Sequence, residues 1–505
     1  LFAQDCIRRL LRMLTNKNGN DIIRSQKKKA AVKIKMYNYS EQICNYIDSQ
    51  RSNILEDIAA LVEIPSVKGE SADGSPFGKY PALALKKALE MCRKSGFAVK
   101  NISNAIGFAD MNDLPLELGI LAHADVVAAG SGWDSDPFRL TYKDGVIYGR
   151  GVSDDKGPAV AALYAMKAIK ELGIPLKKNV RLIIGSDEEC GSSDLEYYFN
   201  SEPTPLYSFS PDAEFPLINT EKGRFAPEFS AHINDNEESS FPRILYFRGG
   251  HAANVVPDSA TVKIAGADAQ SIAEAIRISE QHTQAAFTAD YADGIATITA
   301  AGKLAHASVP ETGNNAVTAL LYLLKSIRLA QCKSTSLFCS LADMFPHNDT
   351  YGRAIGIACE DEISGKLTCS LDMLRFDGKT LTGCFDARTP MCSTKQNTAE
   401  PLRRLFDNAG FEIDKLNFSE PHHVSPELPF VKTLLSAYEK YTGQKGECIA
   451  IGGGTYVHNI KNGVAFGSIM PGVNTNMHGA NESMPFEDII TAAKIYAEVI
   501  MLVCG

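Results

Sequence analysis

An α/β fold interrupted by a second, α+β domain is what this sequence predicts, on three observations. Compact apolar runs at 118–122, 180–185 and 207–209 have the length and composition of strands buried on both faces of a sheet. Stretches between them repeat apolar residues every three or four positions, the period of a helix lying on a core. From about Gly223 the texture changes to short alternating segments, and helical periodicity with core-like content returns near Pro429. A chain of 505 residues exceeds what one ordinary core accommodates, so two cores are expected.

The elements follow in order. Residues 41–61 and 80–94 read as helices packing one face inward. Gly157-Pro158 opens another, with proline in a first turn where its missing N–H costs little, and Val160, Leu163, Tyr164 and Ala168 share a face. In the second domain, 260–264 and 296–299 read as strands, and 272–287 and 316–329 as helices. Helices at 429–441 and 486–503 close the first domain. Ligands of open α/β sheets gather at the carboxyl ends of strands. His123, Glu188 and Asp212 each stand just past an apolar run, so these three are expected to converge.

Composition narrows the function. The net charge of −9 disfavours nucleic acid as a partner, because phosphate backbones are bound by clustered Lys and Arg. No apolar run approaches the roughly 20 residues needed to cross a bilayer, so no membrane partner is expected. Twelve cysteines without a CxxC pair read as reduced thiols of a cytoplasmic chain. Residues 1–35 hold ten Lys or Arg and two acids, leaving 41 basic and 58 acidic residues and a balance of −17 beyond them. This break has three readings: a basic presequence, a disordered tail, or sequence upstream of a true start at Met36. The third is the expectation.

Five segments carry most of the candidate chemistry: His123-Ala-Asp125, Asp154-Asp155-Lys156-Gly157, Asp187-Glu188-Glu189, Ser210-Pro211-Asp212 and Met477-His478-Gly479. Imidazole and carboxylate are zinc ligands, and two neighbouring ions need a bridging carboxylate, further ligands for each and a shared water. His123, Asp154, Glu189, Asp212 and His478 would supply that set. Asp125, two residues after His123, suits the carboxylate that orients a metal-bound imidazole from its other nitrogen. Of the adjacent Glu188 and Glu189, one can bind metal while the other takes a proton from water. Each signal alone is weak; together, each just after a strand-like run, they point to a metal site.

These segments resemble the M20 metallopeptidases, and within them the PepV-like aminoacyl-histidine (Xaa-His) dipeptidases. The wording that carries the resemblance is LAHADVV at 121–127, GWDSDPF at 132–138, YGRGVSDDKGP at 148–158, SDEECGSSD at 186–194 and SPDAEFP at 210–216. The resemblance spans Met36 to the C terminus. It implies a zinc-peptidase-like α/β catalytic domain with an inserted α+β lid, divided as 36–222, lid 223–419, and 420–505. It further implies two Zn2+ per chain, with Mn2+ or Co2+ as alternatives. His123 and Asp212 would hold one ion, Glu189 and His478 the other, and Asp154 would bridge them, with Asp155 following a cis peptide. Asp125 and Glu188 become the catalytic pair, Glu188 as general base.

In the lid, Asn254, His306 and Arg388 match the family's substrate groups: His306 for the oxyanion, Arg388 for the substrate carboxylate, and Asn254 for the transition state. Gly453, in Gly452-Gly453-Gly454-Thr455, resembles a substrate-contacting loop, or is a tight turn. His251, His422 and His458 have no ligand position and are read as structural. The implied activity is hydrolysis of unblocked dipeptides by a monomer whose lid stands in for a dimer partner. The alternative is a related deacylase, desuccinylase or carboxypeptidase acting on N-acyl amino acids.

Overall fold

The computed structural model describes residues 39–72, 74–233 and 240–505. The basic stretch 1–35 lies outside the described residues. The chain divides into two compact units. The first comprises the chain up to Asn219, Val424–Ile449 and Thr455–Gly505; the second comprises Thr220–His423 and Ala450–Gly454. The second unit thus starts before residue 223, ends after 419, and takes in the glycine loop that the sequence reading assigned to the catalytic part. The reason is local: Lys222 N–H donates to Ile451 O at 2.9 Å, which draws 450–454 to the start of the inserted segment.

In the first unit, the strands Asn179–Gly185, Leu116–His123, Tyr207–Ser210 and Gly463–Ala465 lie side by side and parallel. Ile106–Asp110 and Ala98–Ile102 extend this sheet antiparallel on the side of Asn179–Gly185. All seven residues of Asn179–Gly185 are buried, as expected of a strand covered on both faces. The helix Lys156–Glu171 is buried at every position except Lys167, Lys170 and Glu171, so the expectation of a single buried face was too narrow. Its run of alanines lets neighbours approach from all sides, and a helix apolar all round belongs inside. Packed on it is Phe486–Cys504, also largely buried. The helix expected at 41–61 is two, broken at Gln50 ahead of Arg51–Val62.

The second unit is an antiparallel sheet in the order Ala286–Ala292, Ile295–Ala301, Ser259–Ala265, Arg243–Gly249, Thr368–Phe376, Thr380–Thr389, Gly223–Phe225 and Phe418–Ser419. The helices Ala269–Thr283, Ala316–Ser326, Lys333–Met344 and Glu400–Asn408 contribute to its core. The helix expected over 272–287 ends at Thr283, where Gln284 takes a left-handed φ of 56°. Ala286–Ala292 instead pairs with Ile295–Ala301 across Asp293-Gly294, both at positive φ, a turn whose twist suits a two-residue hairpin. The helix expected over 316–329 ends at Ser326, and Lys333–Met344 is a helix that the sequence reading passed over.

His347 is buried in this unit, with Nε2 donating to Thr283 O at 3.1 Å and Nδ1 2.9 Å from Thr318 Oγ1. Burial pushes its pKa down to about 4. An unfolded histidine titrates near 6.5, so between these values the unfolded chain binds the extra proton and folding loses stability as pH falls. Wild type should lose roughly 2–3 kcal/mol more than His347→Gln between pH 7 and pH 4.5, read from urea midpoints. Parallel pH profiles for the two proteins would refute this.

Candidate active site

The parallel strands deliver the site. His123 is the last residue of Leu116–His123, the turn carrying Glu188 and Glu189 follows Asn179–Gly185, and Asp212 lies two residues beyond Tyr207–Ser210. Asp154 stands two residues before the buried helix and joins Asp155, at the helix N-cap, through a cis peptide as the resemblance implies. His478 comes from a loop near the C terminus and holds a left-handed φ of 62°.

His123 is fully buried, and its two nitrogens face different partners. Nδ1 lies 3.0 Å from the backbone oxygen of Asp125 and 3.5 Å from its Oδ1. The shorter contact is therefore to the carbonyl rather than to the carboxylate that sequence reasoning chose. The carboxylate also accepts from the backbone N–H groups of Glu188 at 3.3 Å and Glu189 at 3.2 Å, so it holds the turn that bears both glutamates. On the other edge, His123 Nε2 lies 2.9 Å from Asp154 Oδ1 and 3.6 Å from Asp212 Oδ2, yet makes no well-aligned hydrogen bond.

The second oxygen of Asp154 lies 2.9 Å from His478 Nε2, which is also 3.2 Å from Glu189 Oε2. Two groups that could hold a metal ion result, His123/Asp154/Asp212 and Asp154/Glu189/His478, each with its donor atoms within 4.8 Å of one another and Asp154 common to both. Asp155 turns elsewhere: its Oδ2 accepts from His123 N–H at 3.0 Å.

The electrostatics show what this cluster suits. Burial, reinforced by neighbouring carboxylates, holds Glu188 well above the usual carboxylate range and raises Glu189 to about 7. Burial likewise raises Asp212. For His123, burial alone would lower the pKa, but Asp125, Asp154 and Asp212 outweigh it. Hydrogen bonds to Asp154 and Glu189 push His478 up to about 11. Crowded carboxylates around two imidazoles call for positive charge, and His123 Nε2 is buried beside carboxylate oxygens without an aligned hydrogen bond. Oxygen and imidazole donors so arranged fit divalent metal ions.

Several organising residues escaped the sequence reading. Asp194 Oδ2 accepts from the N–H groups of Ser186 at 2.7 Å and Asp187 at 3.1 Å, and from the hydroxyl of Tyr456, bracing the turn before Glu188. Asp187 pairs with Lys68 at 2.6 Å. Glu482, fully buried, binds the loop that presents Asp154. Of these, only Asp187 and Asp194 lay inside a quoted motif.

Asn254, His306, Arg388 and Gly453 lie in the second unit and gather there. Val255 pairs with His306 in a short ladder, and Ala307 N–H donates to Asn254 O at 2.9 Å. His306 is exposed, with Nδ1 2.6 Å from Ser308 Oγ. Arg388 is mostly committed: Nε donates to Asp386 Oδ1 at 2.6 Å, Nη2 to Asp386 Oδ2 at 3.3 Å and Nη1 to Gly452 O at 2.7 Å. The position that requires glycine is Gly452, where an added Cβ would stand 2.8 Å from the Ser308 Cβ; at Gly453 the nearest atom would be 3.8 Å away. His422 pairs with Glu221 in the two-residue strand His422–His423.

Comparison with known proteins bears on this geometry. The pattern of peptidase family M20/M25/M40 matches residues 119–502. A putative dipeptidase, YtjP, of Bacillus subtilis is 35% identical over 455 residues, covering 89% of this chain and 97% of the relative. The β-Ala-Xaa dipeptidase of Lactobacillus delbrueckii subsp. lactis is 35% identical over 459 residues, covering 90% and 96%. Among solved structures, human carnosine dipeptidase 1 superposes with a TM-score of 0.56 at 16% identity, covering 92% of this chain and 98% of its own. The aminoacylhistidine dipeptidase of Vibrio alginolyticus does so with 0.54 at 11% identity, covering 90% and 96%. At these identities the structures speak for the fold, while the sequence relatives and the matched pattern speak for the family: the chain belongs to the M20 peptidases and, within them, to the metallo-dipeptidases.

Proposed function

We propose that this enzyme cleaves the peptide bond of unblocked dipeptides at a centre of two metal ions, with Glu188 moving the proton. The observation that carries the reading is Asp154, which offers one oxygen to each of two imidazoles at 2.9 Å. His123 and Asp212 complete one ligand set, Glu189 and His478 the other. The donors are imidazole and carboxylate without thiolate, which suits Zn2+ and also admits Mn2+ or Co2+. Bound there, the ions would polarise the scissile carbonyl and lower the pKa of a water at the centre.

The chain's own groups do the rest. Asp125 holds His123 and the turn bearing the two glutamates. Glu188, whose carboxyl has no hydrogen bond among the described residues, accepts the water's proton and returns it to the leaving amine. His306 is assigned to the oxyanion, Asn254 to the transition state and Arg388 to the substrate-carboxylate site. Eleven free cysteines among the described residues support a cytoplasmic setting. Among the described residues no helix is long and apolar enough to cross a membrane. A single chain carries both ligand sets and the lid groups, which supports a working monomer.

Metal content and a substrate panel test the reading. About two ions per chain should be found. Chelation should abolish hydrolysis of Leu-Gly and β-Ala-His, and Zn2+, Mn2+ or Co2+ should restore it. Cleavage confined to N-acyl or N-succinyl amino acids would reassign the enzyme to the related deacylases, and full activity in metal-free protein would end the mechanism.

A further inference from the structure

The sheet of the second unit keeps an open face, and one row across it consists of cations and hydroxyls. Along Arg243–Gly249, Phe247 and Gly249 are buried while Arg248 between them is exposed. Thr368–Phe376 repeats the pattern, with Leu374 and Phe376 buried around an exposed Arg375. Register sets the two side by side: Arg248 stands opposite Arg375, Thr261 flanks Arg248 on the far side, and Thr382 flanks Arg375. The row therefore runs threonine, arginine, arginine, threonine over four adjacent strands. Thr382 lies six positions before Arg388 on Thr380–Thr389, roughly 20 Å at the rise of a strand, so the row is separate from the groups gathered around Arg388.

Like charges directly opposite each other on a sheet are destabilising. Among the described residues, neither of these guanidinium groups forms an ion pair or a side-chain hydrogen bond. Each holds five N–H donors in a planar fork. Both line a groove of about 540 Å³, together with Tyr246, Asp377, Thr380 and Thr382. Lys263 brings a third cation to this face, opposite Tyr246 and with Nζ 5.8 Å from the ring centre. Against them stands one lining carboxylate, Asp377, whose Oδ1 accepts from the N–H groups of Lys379 at 2.9 Å and Thr380 at 2.8 Å. Positive charge is in surplus.

The donors also select the shape of the anion. A carboxylate has two oxygens and one charge, which one fork satisfies. A phosphate adds further oxygens and close to a second charge, which suits two adjacent forks with a hydroxyl beside them.

We propose that this groove is a second binding site, for a phosphate group held between Arg248 and Arg375 with Thr382 as a further donor, the group being inorganic phosphate or that of a small phosphomonoester. The site lies wholly within the second unit and does not depend on the dipeptidase reading.

Binding of inorganic phosphate to the metal-loaded protein is measured by titration calorimetry at constant ionic strength in chloride, for wild type, R248Q, R375Q and R248K. Each glutamine variant should bind ~10- to 100-fold more weakly, the range of lost charge-assisted hydrogen bonds. R248K should fall between, keeping the charge without the fork. In the absence of phosphate, R248Q and R375Q should melt no lower than wild type, because each removes a like-charge contact. Adenosine monophosphate provides the second arm: tighter binding than inorganic phosphate would identify a phosphomonoester as the ligand, and equal or weaker binding would identify free phosphate. Phosphate bound equally by wild type and both glutamine variants would overturn the site, since that anion would sit at the proposed metal centre. A fall in melting temperature without phosphate would overturn the unpartnered pair, and heparin bound in place of any saturable phosphate would make the groove a surface for polyanions instead.

Discussion

Glu188→Ala should lower kcat by ~10²- to 10⁴-fold while the protein keeps its full complement of metal, the range attributed to a positioned general base. The two halves of this expectation come from different observations. Metal retention follows because neither of the two groups proposed to hold metal includes Glu188. The loss of rate follows from where the residue stands: its backbone N–H is held by Asp125 Oδ1 at 3.3 Å, next to Glu189, so its carboxyl is carried to the cluster without joining it. Burial and the charges of Asp212, Glu189 and Asp154 raise its proton affinity, the property that a group accepting a proton from an acidified water needs. Glu189→Ala provides the contrast, because it removes a carboxylate proposed as a metal ligand beside His478 and should lower metal content as well as rate. Metal lost from Glu188→Ala would make Glu188 a ligand, and activity retained in it would place the base elsewhere.

How much of this site could be read from the sequence depended on whether a residue's partner was local. His123, Glu188 and Asp212 follow apolar runs whose length marks a buried strand, and the α/β rule sends the ends of parallel strands to one edge. That reasoning needed no distant contact. Only the family resemblance distinguished Asp154 from Asp155, and the structure turns the Asp154 carboxylate between two imidazoles while Asp155 faces the His123 backbone.

The helix expected over 272–287 overran its end because Gln-Ala-Ala-Phe at 284–287 continues the helical pattern, while the left-handed φ of Gln284 that stops the helix leaves no mark in the sequence. Tyr456 and Glu482 were out of reach for a plainer reason. Their partners lie 262 and about 330 positions away in the chain, where a lone Tyr or Glu in a loop has no pattern to match.

Glu482→Ala should destabilise the first unit by about 3–5 kcal/mol and weaken the metal centre, although Glu482 touches no ligand side chain. Its Oε1 accepts from Ser153 N–H at 2.9 Å, Ser153 Oγ–H at 2.8 Å and Asp154 N–H at 3.3 Å. Its Oε2 accepts from Arg150 Nη1 at 2.6 Å and Gly151 N–H at 3.0 Å. Arg150 in turn donates from Nη2 to Gly479 O at 3.0 Å, beside His478. One buried carboxylate thus ties the loop that presents Asp154 to the loop that presents His478. Removing it strands a buried guanidinium and three backbone donors, and each unmet buried donor costs on the order of 1–3 kcal/mol.

The two effects can be separated. Pairing Glu482→Leu with Arg150→Met removes the stranded charge and should recover much of the stability, because an apolar pair can replace a buried ion pair at little cost. It should not recover metal affinity, because the N–H groups of Gly151, Ser153 and Asp154 still lack an acceptor and Asp154 is no longer fixed. Denaturant midpoints and metal titration would read the two effects apart. A double variant that binds both ions as tightly as wild type would show that Glu482 serves stability alone, and Glu482→Ala with an unchanged midpoint would show that it does not serve even that.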